Sequence, residues 1–108
     1  DKNLYYSHPV IGKKLISQIP NRDHEVETII YEHEELPDGT GYPRQLKKMQ
    51  LHPLSEVVIL AGTFVELVIK TKSTPTPMPL NRALDFIQNE SGLLFNLKTL
   101  RALKIALE

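Results

Sequence analysis

The stretch His33-Glu34-Glu35-Leu36-Pro37-Asp38-Gly39-Thr40-Gly41-Tyr42-Pro43 decides how the rest of this chain is read. Residues 36–43 hold two Gly and two Pro, so no helix runs through them and they read as an ordered turn. What enters the turn is helical. Val26, Ile29, Ile30 and His33 fall at i, i+3, i+4 and i+7, and Asp23 stands where an N-cap is needed. That spacing puts His33 on the inward face of the helix, with Glu34 at its edge.

Upstream, Ser7-His8-Pro9 reads as a helix start, because Pro is tolerated in a first turn where its missing N–H costs nothing. Ile11, Leu15 and Ile19 carry that helix to Pro20, which stops it. Downstream, residues 54–70 are the most apolar segment, with Glu56, Thr63, Glu66 and Lys70 as a narrow polar stripe, which predicts a largely buried helix. Val57-Val58-Ile59-Leu60 alone also fits a strand; the length of the segment favours the helix. Residues 71–79 are a Pro-rich internal loop. Leu80, Ala83, Leu84 and Ile87 predict a further helix ending near Gly92, and Asn96 caps a last one that turns Leu97, Leu100, Leu103 and Leu107 inward. The fold class expected is therefore all-α.

Composition narrows the function classes. The 108 residues suit one modest core, and 41% hydrophobic with 24% charged residues is a globular composition. Thirteen basic residues balance thirteen acidic ones, which gives no bulk attraction for nucleic acid or an anionic membrane. The absence of Cys excludes a disulfide framework, a thiolate nucleophile and Cys-ligated zinc, and accords with a cytoplasmic setting. The longest apolar run, residues 57–62, is too short to span a bilayer. The chain opens on Asp1-Lys2-Asn3, so it is expected to be a piece of something longer. Locally, Asp23, Glu25, Glu27, Glu32, Glu34, Glu35 and Asp38 make the second helix and its exit acidic, and Arg44, Lys47 and Lys48 follow at once. Both groups read first as solvated faces, with the three cations as candidate phosphate contacts.

His8 at one helix end and His33 with Glu34 at another offer imidazole and carboxylate, good ligands for iron, manganese or zinc. The plainer alternative is a pair of hydrogen-bonded core histidines beside solvated carboxylates. His24 and His52 show no partner pattern. No phosphate-cradling Gly-rich loop and no Gly-x-Ser-x-Gly elbow is present, so dinucleotide binding and serine hydrolysis find no support.

The stretch from His33 to Pro43 resembles the HD-GYP signature, which reads HHExxDGxGYP. His8-Pro9-Val10-Ile11-Gly12 is similar to that family's HPxxG, Leu51-His52-Pro53-Leu54 lies where it often has I-P-L, and Gly92-Leu93-Leu94-Phe95-Asn96 is similar to its late G-x-x-F-D-P. The landmarks come in order over residues 8–96. The resemblance implies an all-helical HD-superfamily bundle of which residues 1–108 are the C-terminal portion. It also implies metal-dependent cyclic di-GMP phosphodiesterase ancestry, with iron or manganese as the metal. By position, His8 and His33 match ligand histidines, Glu34 replaces the second histidine of HHE, and Gly62 stands where the family has a ligand aspartate. The basic R-P-Y-R stretch is not recognisable between Lys70 and Pro79, and the His-Asp doublet would lie upstream of Asp1.

From this we expect a catalytically degenerate signalling domain of a larger bacterial protein, with His8, His33 and Glu34 as vestigial ligands. No cofactor is expected in this chain, or iron or manganese if the site survives. Its role would be protein–protein interaction or regulation linked to cyclic di-GMP. The alternative is a phosphodiesterase completed by upstream sequence or a second chain. By the same resemblance Asp38, Gly39, Gly41, Tyr42 and Pro43 form a loop for docking a diguanylate cyclase-type domain or the protein's own upstream domain; the plainer reading is an obligatory turn. Leu15, Ile16, Ile29 and Ile30 would be covered by preceding helices in the family, so a homo-oligomer is expected.

Overall fold

A computed structural model describes residues 2–108 of the chain. Among them are five α-helices: α1 (Lys2–Ser17), α2 (His24–Glu32), α3 (Pro53–Val68), α4 (Leu80–Asp85) and α5 (Leu97–Ala106). No strand occurs among the described residues; one isolated antiparallel bridge joins Asp38 and Lys47. The fold is all-α, as the periodicity predicts, and accords with the helical bundle that the resemblance implies. The chain forms two compact units, one ending at Ile59 and the other spanning Leu60–Glu108, with α3 beginning in the first and ending in the second.

In the first unit, α1 starts earlier than Ser7-His8-Pro9 predicts, and Pro9 lies inside it. Proline has no N–H for the carbonyl four residues back, which is that of Tyr5. The His8 ring answers the deficit: its Nδ1 bonds the Tyr5 carbonyl. Ile11, Leu15 and Ile19 are exposed, whereas Pro9 is buried. Gly12 lets α1 approach α2, since a Cβ there would come within 2.7 Å of Ile30 Cγ2. The α2 start is as predicted, with the Asp23 side chain accepting from Glu25 N at 2.8 Å.

The connection from α2 to α3 is held by two buried carboxylates, which corrects the expectation of a uniformly solvated acidic face. Glu35 is fully buried; its Oε2 accepts from Arg44 N and its Oε1 from Leu46 N, both at 2.7 Å. Glu32, also buried, accepts from His52 N at 2.9 Å and from Arg44 Nη2 at 3.2 Å. The turn folds back so tightly that a Cβ on Gly41 would lie 2.4 Å from Glu35 Cα. Asp38 closes the tip by accepting from Thr40 N at 3.0 Å and Thr40 Oγ1 at 2.6 Å.

The faces of α3 differ from the predicted stripe. Ser55, Glu56, Ile59, Leu60 and Phe64 are buried, while Leu54, Val57, Val58 and Val65 are exposed. Apolar content alone does not orient a helix whose polar residues are as few as these. In the second unit Leu60, Phe64, Ala83, Ile87, Phe95 and Leu100 are buried. Thr71 and Thr74 exchange backbone hydrogen bonds in the predicted loop, and Met78 N donates to Leu67 O at 2.8 Å. Asn96 caps α5 by accepting from Lys98 N at 2.9 Å. Leu100 is inward as predicted; Leu97 and Leu107 are exposed.

Candidate metal centre

The first unit brings His8 from the interior of α1 to His33 at the C-terminal end of α2, with Glu34 one residue on. Both rings are oriented by the same device. His8 Nδ1 is bonded to the Tyr5 carbonyl, and His33 Nδ1 to the Ile30 carbonyl at 2.7 Å. A carbonyl only accepts, so each Nδ1 carries its hydrogen and each Nε2 is left to face the other ring and Glu34. Those two nitrogens are 3.1 Å apart, and Glu34 Oε1 lies 3.4 Å from His8 Nε2 and 3.6 Å from His33 Nε2. All three side chains are half-buried.

Two lone pairs and a carboxylate at these separations repel one another unless positive charge lies among them. A proton on one imidazole supplies it, and so does one divalent cation. Donors bound to a single first-row ion lie roughly 3 to 3.5 Å apart. The observed set fits one such ion, and its two nitrogens and one oxygen suit iron, manganese or zinc.

The surroundings are aromatic. The Tyr5 ring meets His8 edge-on with centroids 5.5 Å apart, and Tyr6 meets Tyr42 at 4.9 Å. Tyr42 also lies 6.1 Å from the His8 ring. Its hydroxyl is buried, beside Glu34 and Tyr5. Burial, and then the Glu34 carboxylate, push its pKa above the usual phenol value, so the group remains a proton donor. A protonated hydroxyl beside a carboxylate and the His8 ring suits a site that takes an oxygen ligand.

The remaining predicted residues are placed separately. Asp38, Gly39 and Gly41 build the turn, with Gly39 at a φ of 84°. Pro43 follows Tyr42, whose ring turns inward to Tyr6. The three candidate phosphate cations diverge: Arg44 turns to Glu32 and the Tyr31 ring, while the Lys47 side chain runs beside Gly39. Lys48 N donates to the Pro37 carbonyl at 2.9 Å. Of the other histidines, His24 is exposed beside Glu27, and His52 Nδ1 accepts from Leu54 N at the start of α3. Glu32 and Glu35 were missed as organisers of the loop. The available signal is their i, i+3 spacing just before a Gly/Pro turn whose amides need acceptors.

A family model described as "HD domain" matches residues 1–96. A cyclic di-GMP phosphodiesterase of Thermotoga maritima is 28% identical over 96 residues, 88% of this chain and 26% of that protein. A cyclic di-GMP phosphodiesterase response regulator, RpfG of Xanthomonas campestris pv. campestris, is 28% identical over 104 residues, 95% of this chain and 27% of that protein. The chain thus spans about a quarter of the length of these curated relatives. Among the described residues no helix is long and apolar enough to cross a membrane.

Proposed function

The chain belongs to the HD domain family, and we propose that it keeps one divalent-cation site, His8–His33–Glu34, in a signalling domain that has lost cyclic di-GMP hydrolysis. The observation that carries this reading is the convergence of three donor atoms with both Nδ1 hydrogens already committed to carbonyls. His8 and His33 offer neutral nitrogen, Glu34 offers the negative charge, and Tyr42 adds a protonated hydroxyl beside them. His8, His33 and Glu34 would hold a divalent iron or manganese ion, which would supply Lewis acidity there.

Loss of hydrolysis is supported by the ligand count. His8, His33 and Glu34 are the one group of three such residues among those described. In the HD-GYP pattern that the chain resembles, Glu34 stands for a histidine and Gly62 for an aspartate, and glycine has no donor. Those two positions withhold donors that a cluster of two or three ions uses. The domain's output is then an interaction. Asp38, Gly39, Gly41, Tyr42 and Pro43 form the loop on which a diguanylate cyclase-type domain or the protein's own upstream domain would dock, and Asp38 is its exposed member.

Metal analysis together with cyclic di-GMP turnover tests this on the whole chain. We expect one iron or manganese ion per chain, removed by His33→Ala, and no linear product. The second reading is a metal-dependent cyclic di-GMP phosphodiesterase completed by upstream sequence or a second chain. The protonated Tyr42 hydroxyl beside Glu34 favours it, since a phosphate oxygen suits such a donor. Two or more ions with hydrolysis would establish it in place of the first.

A further inference from the structure

A cleft of 330 Å³ opens in the first unit on residues none of which belongs to the His8–His33–Glu34 group; Lys13, His24, Glu27, Thr28, Tyr31 and Arg44 line it. Two cations share one aromatic ring there. Lys13 Nζ lies 4.3 Å from the Tyr31 centroid and Arg44 Cζ lies 4.8 Å from it. Their anchoring differs in a way that matters. Arg44 gives Nη2 to the buried Glu32, which leaves other N–H groups of its fork to point elsewhere. Lys13 makes no ion pair among the described residues; the ring face is its contact. An ammonium and a guanidinium on one ring make the wall of this cleft cationic, which favours an anion in it.

A second cleft of 270 Å³ abuts the first, sharing Lys13, Glu27 and Tyr31 and adding Val10, Lys14 and Ser17. The pair of clefts thus offers a cationic end at Arg44, a middle at Lys13 and Tyr31, and an end where Val10 provides apolar surface. Glu27 is the opposing charge. Arg22 holds it at 3.0 Å and keeps its pKa below the ordinary carboxylate value, so it stays ionised and limits how tightly an anion binds.

We infer that this groove binds a small phosphomonoester, with its phosphate held by the cations Lys13 and Arg44 and its organic part toward Val10. The inference rests on none of the metal-site residues. The test is calorimetric titration of the whole chain with phenyl phosphate and with inorganic phosphate, in the presence of a chelator. Phenyl phosphate is expected to saturate one site and to bind more tightly than inorganic phosphate. Losing the ammonium in Lys13→Gln weakens binding about 10-fold or more, the usual effect of one charge-assisted hydrogen bond. Glu27→Gln strengthens it, and Lys104→Gln, an exposed control that does not line either cleft, leaves it unchanged. Lys13 is chosen over Arg44 because Arg44 also holds Glu32, and thermal melts confirm that the Lys13 variant is folded. Equal weakening by Lys13→Gln and Lys104→Gln, or no saturation below about 10 mM, would overturn the inference. Unchanged phosphate binding in His33→Ala separates this site from the metal centre, so either can fail alone; loss of binding in that variant would also overturn it.

Discussion

Replacing Glu35 is the sharpest test of how the loop that follows α2 is held. The side chain is fully buried, and each carboxylate oxygen accepts one backbone N–H, from Arg44 and Leu46, at 2.7 Å. Hydrogen bonds to a charged group contribute about 1.5–3 kcal/mol each, and a buried donor left unpaired carries its own desolvation cost. Glu35→Ala removes both acceptors and leaves a void, so we expect a loss of about 3–5 kcal/mol. Glu35→Gln keeps the shape but turns an NH₂ toward one of the two amides. We therefore expect a smaller loss of about 2–3 kcal/mol. A small domain has only about 5–15 kcal/mol in all, so either change is large. Urea unfolding followed by circular dichroism gives the total, and amide exchange at Arg44 and Leu46 gives the location. A cost below about 1 kcal/mol for Glu35→Gln, with those two amides still protected, would refute the reasoning.

Three further outcomes follow from the same unit. Gly41→Ala forces a Cβ to within 2.4 Å of Glu35 Cα, and we expect more than about 2 kcal/mol of destabilisation by urea titration; near-neutral behaviour would mean the turn is not packed against the α2 exit. The Asp38 carboxyl is held below its ordinary pKa of 3.8 by the Thr40 hydroxyl and then the Thr40 amide. The stability it contributes is present above the unfolded value and is lost as pH falls through the lower folded value. Asp38→Ala should therefore flatten the acid limb of the stability–pH curve below about pH 4, and an unchanged acid limb would remove that assignment. Leu15 is 63% exposed on α1; if copies of the chain associate through this face, Leu15→Glu yields a monomer by light scattering, and a wild-type monomer at high concentration counts against association.

Much of the fold was legible because it is local. Asp23 and Asn96 are short polar side chains placed before apolar periodic segments, and each accepts the N–H that its helix cannot satisfy. Gly and Pro between His33 and Pro43 likewise announce a turn, whatever lies around it. The misreadings came where one residue's role is set by another's deficit. Pro9 looks like a start signal, yet it sits in mid-helix because the His8 ring bonds the carbonyl that Pro9 cannot serve. Glu32 and Glu35 look like surface charge, and they are buried because the loop amides need acceptors. Glu56 belonged to the predicted solvent stripe of α3 and is buried. The candidate site divided in the same way. Residue types named His8, His33 and Glu34, but the locked Nδ1 hydrogens and the 3.1 Å approach of the two Nε2 atoms depend on how α1 meets α2. Lys13 and Tyr31 had no signal at all, since a lysine five residues past His8 carries no motif.

Metal stoichiometry tests the central claim most directly. The chain is stripped with chelator, titrated with manganese(II) or iron(II), and followed by calorimetry and thermal melting, with cyclic di-GMP turnover measured at saturation. We expect one ion per chain and stabilisation of about 2.7 kcal/mol at a hundredfold excess over Kd, both abolished by His33→Ala, and no hydrolysis. A chain that binds no ion, or one that binds two or more and opens cyclic di-GMP, would contradict it.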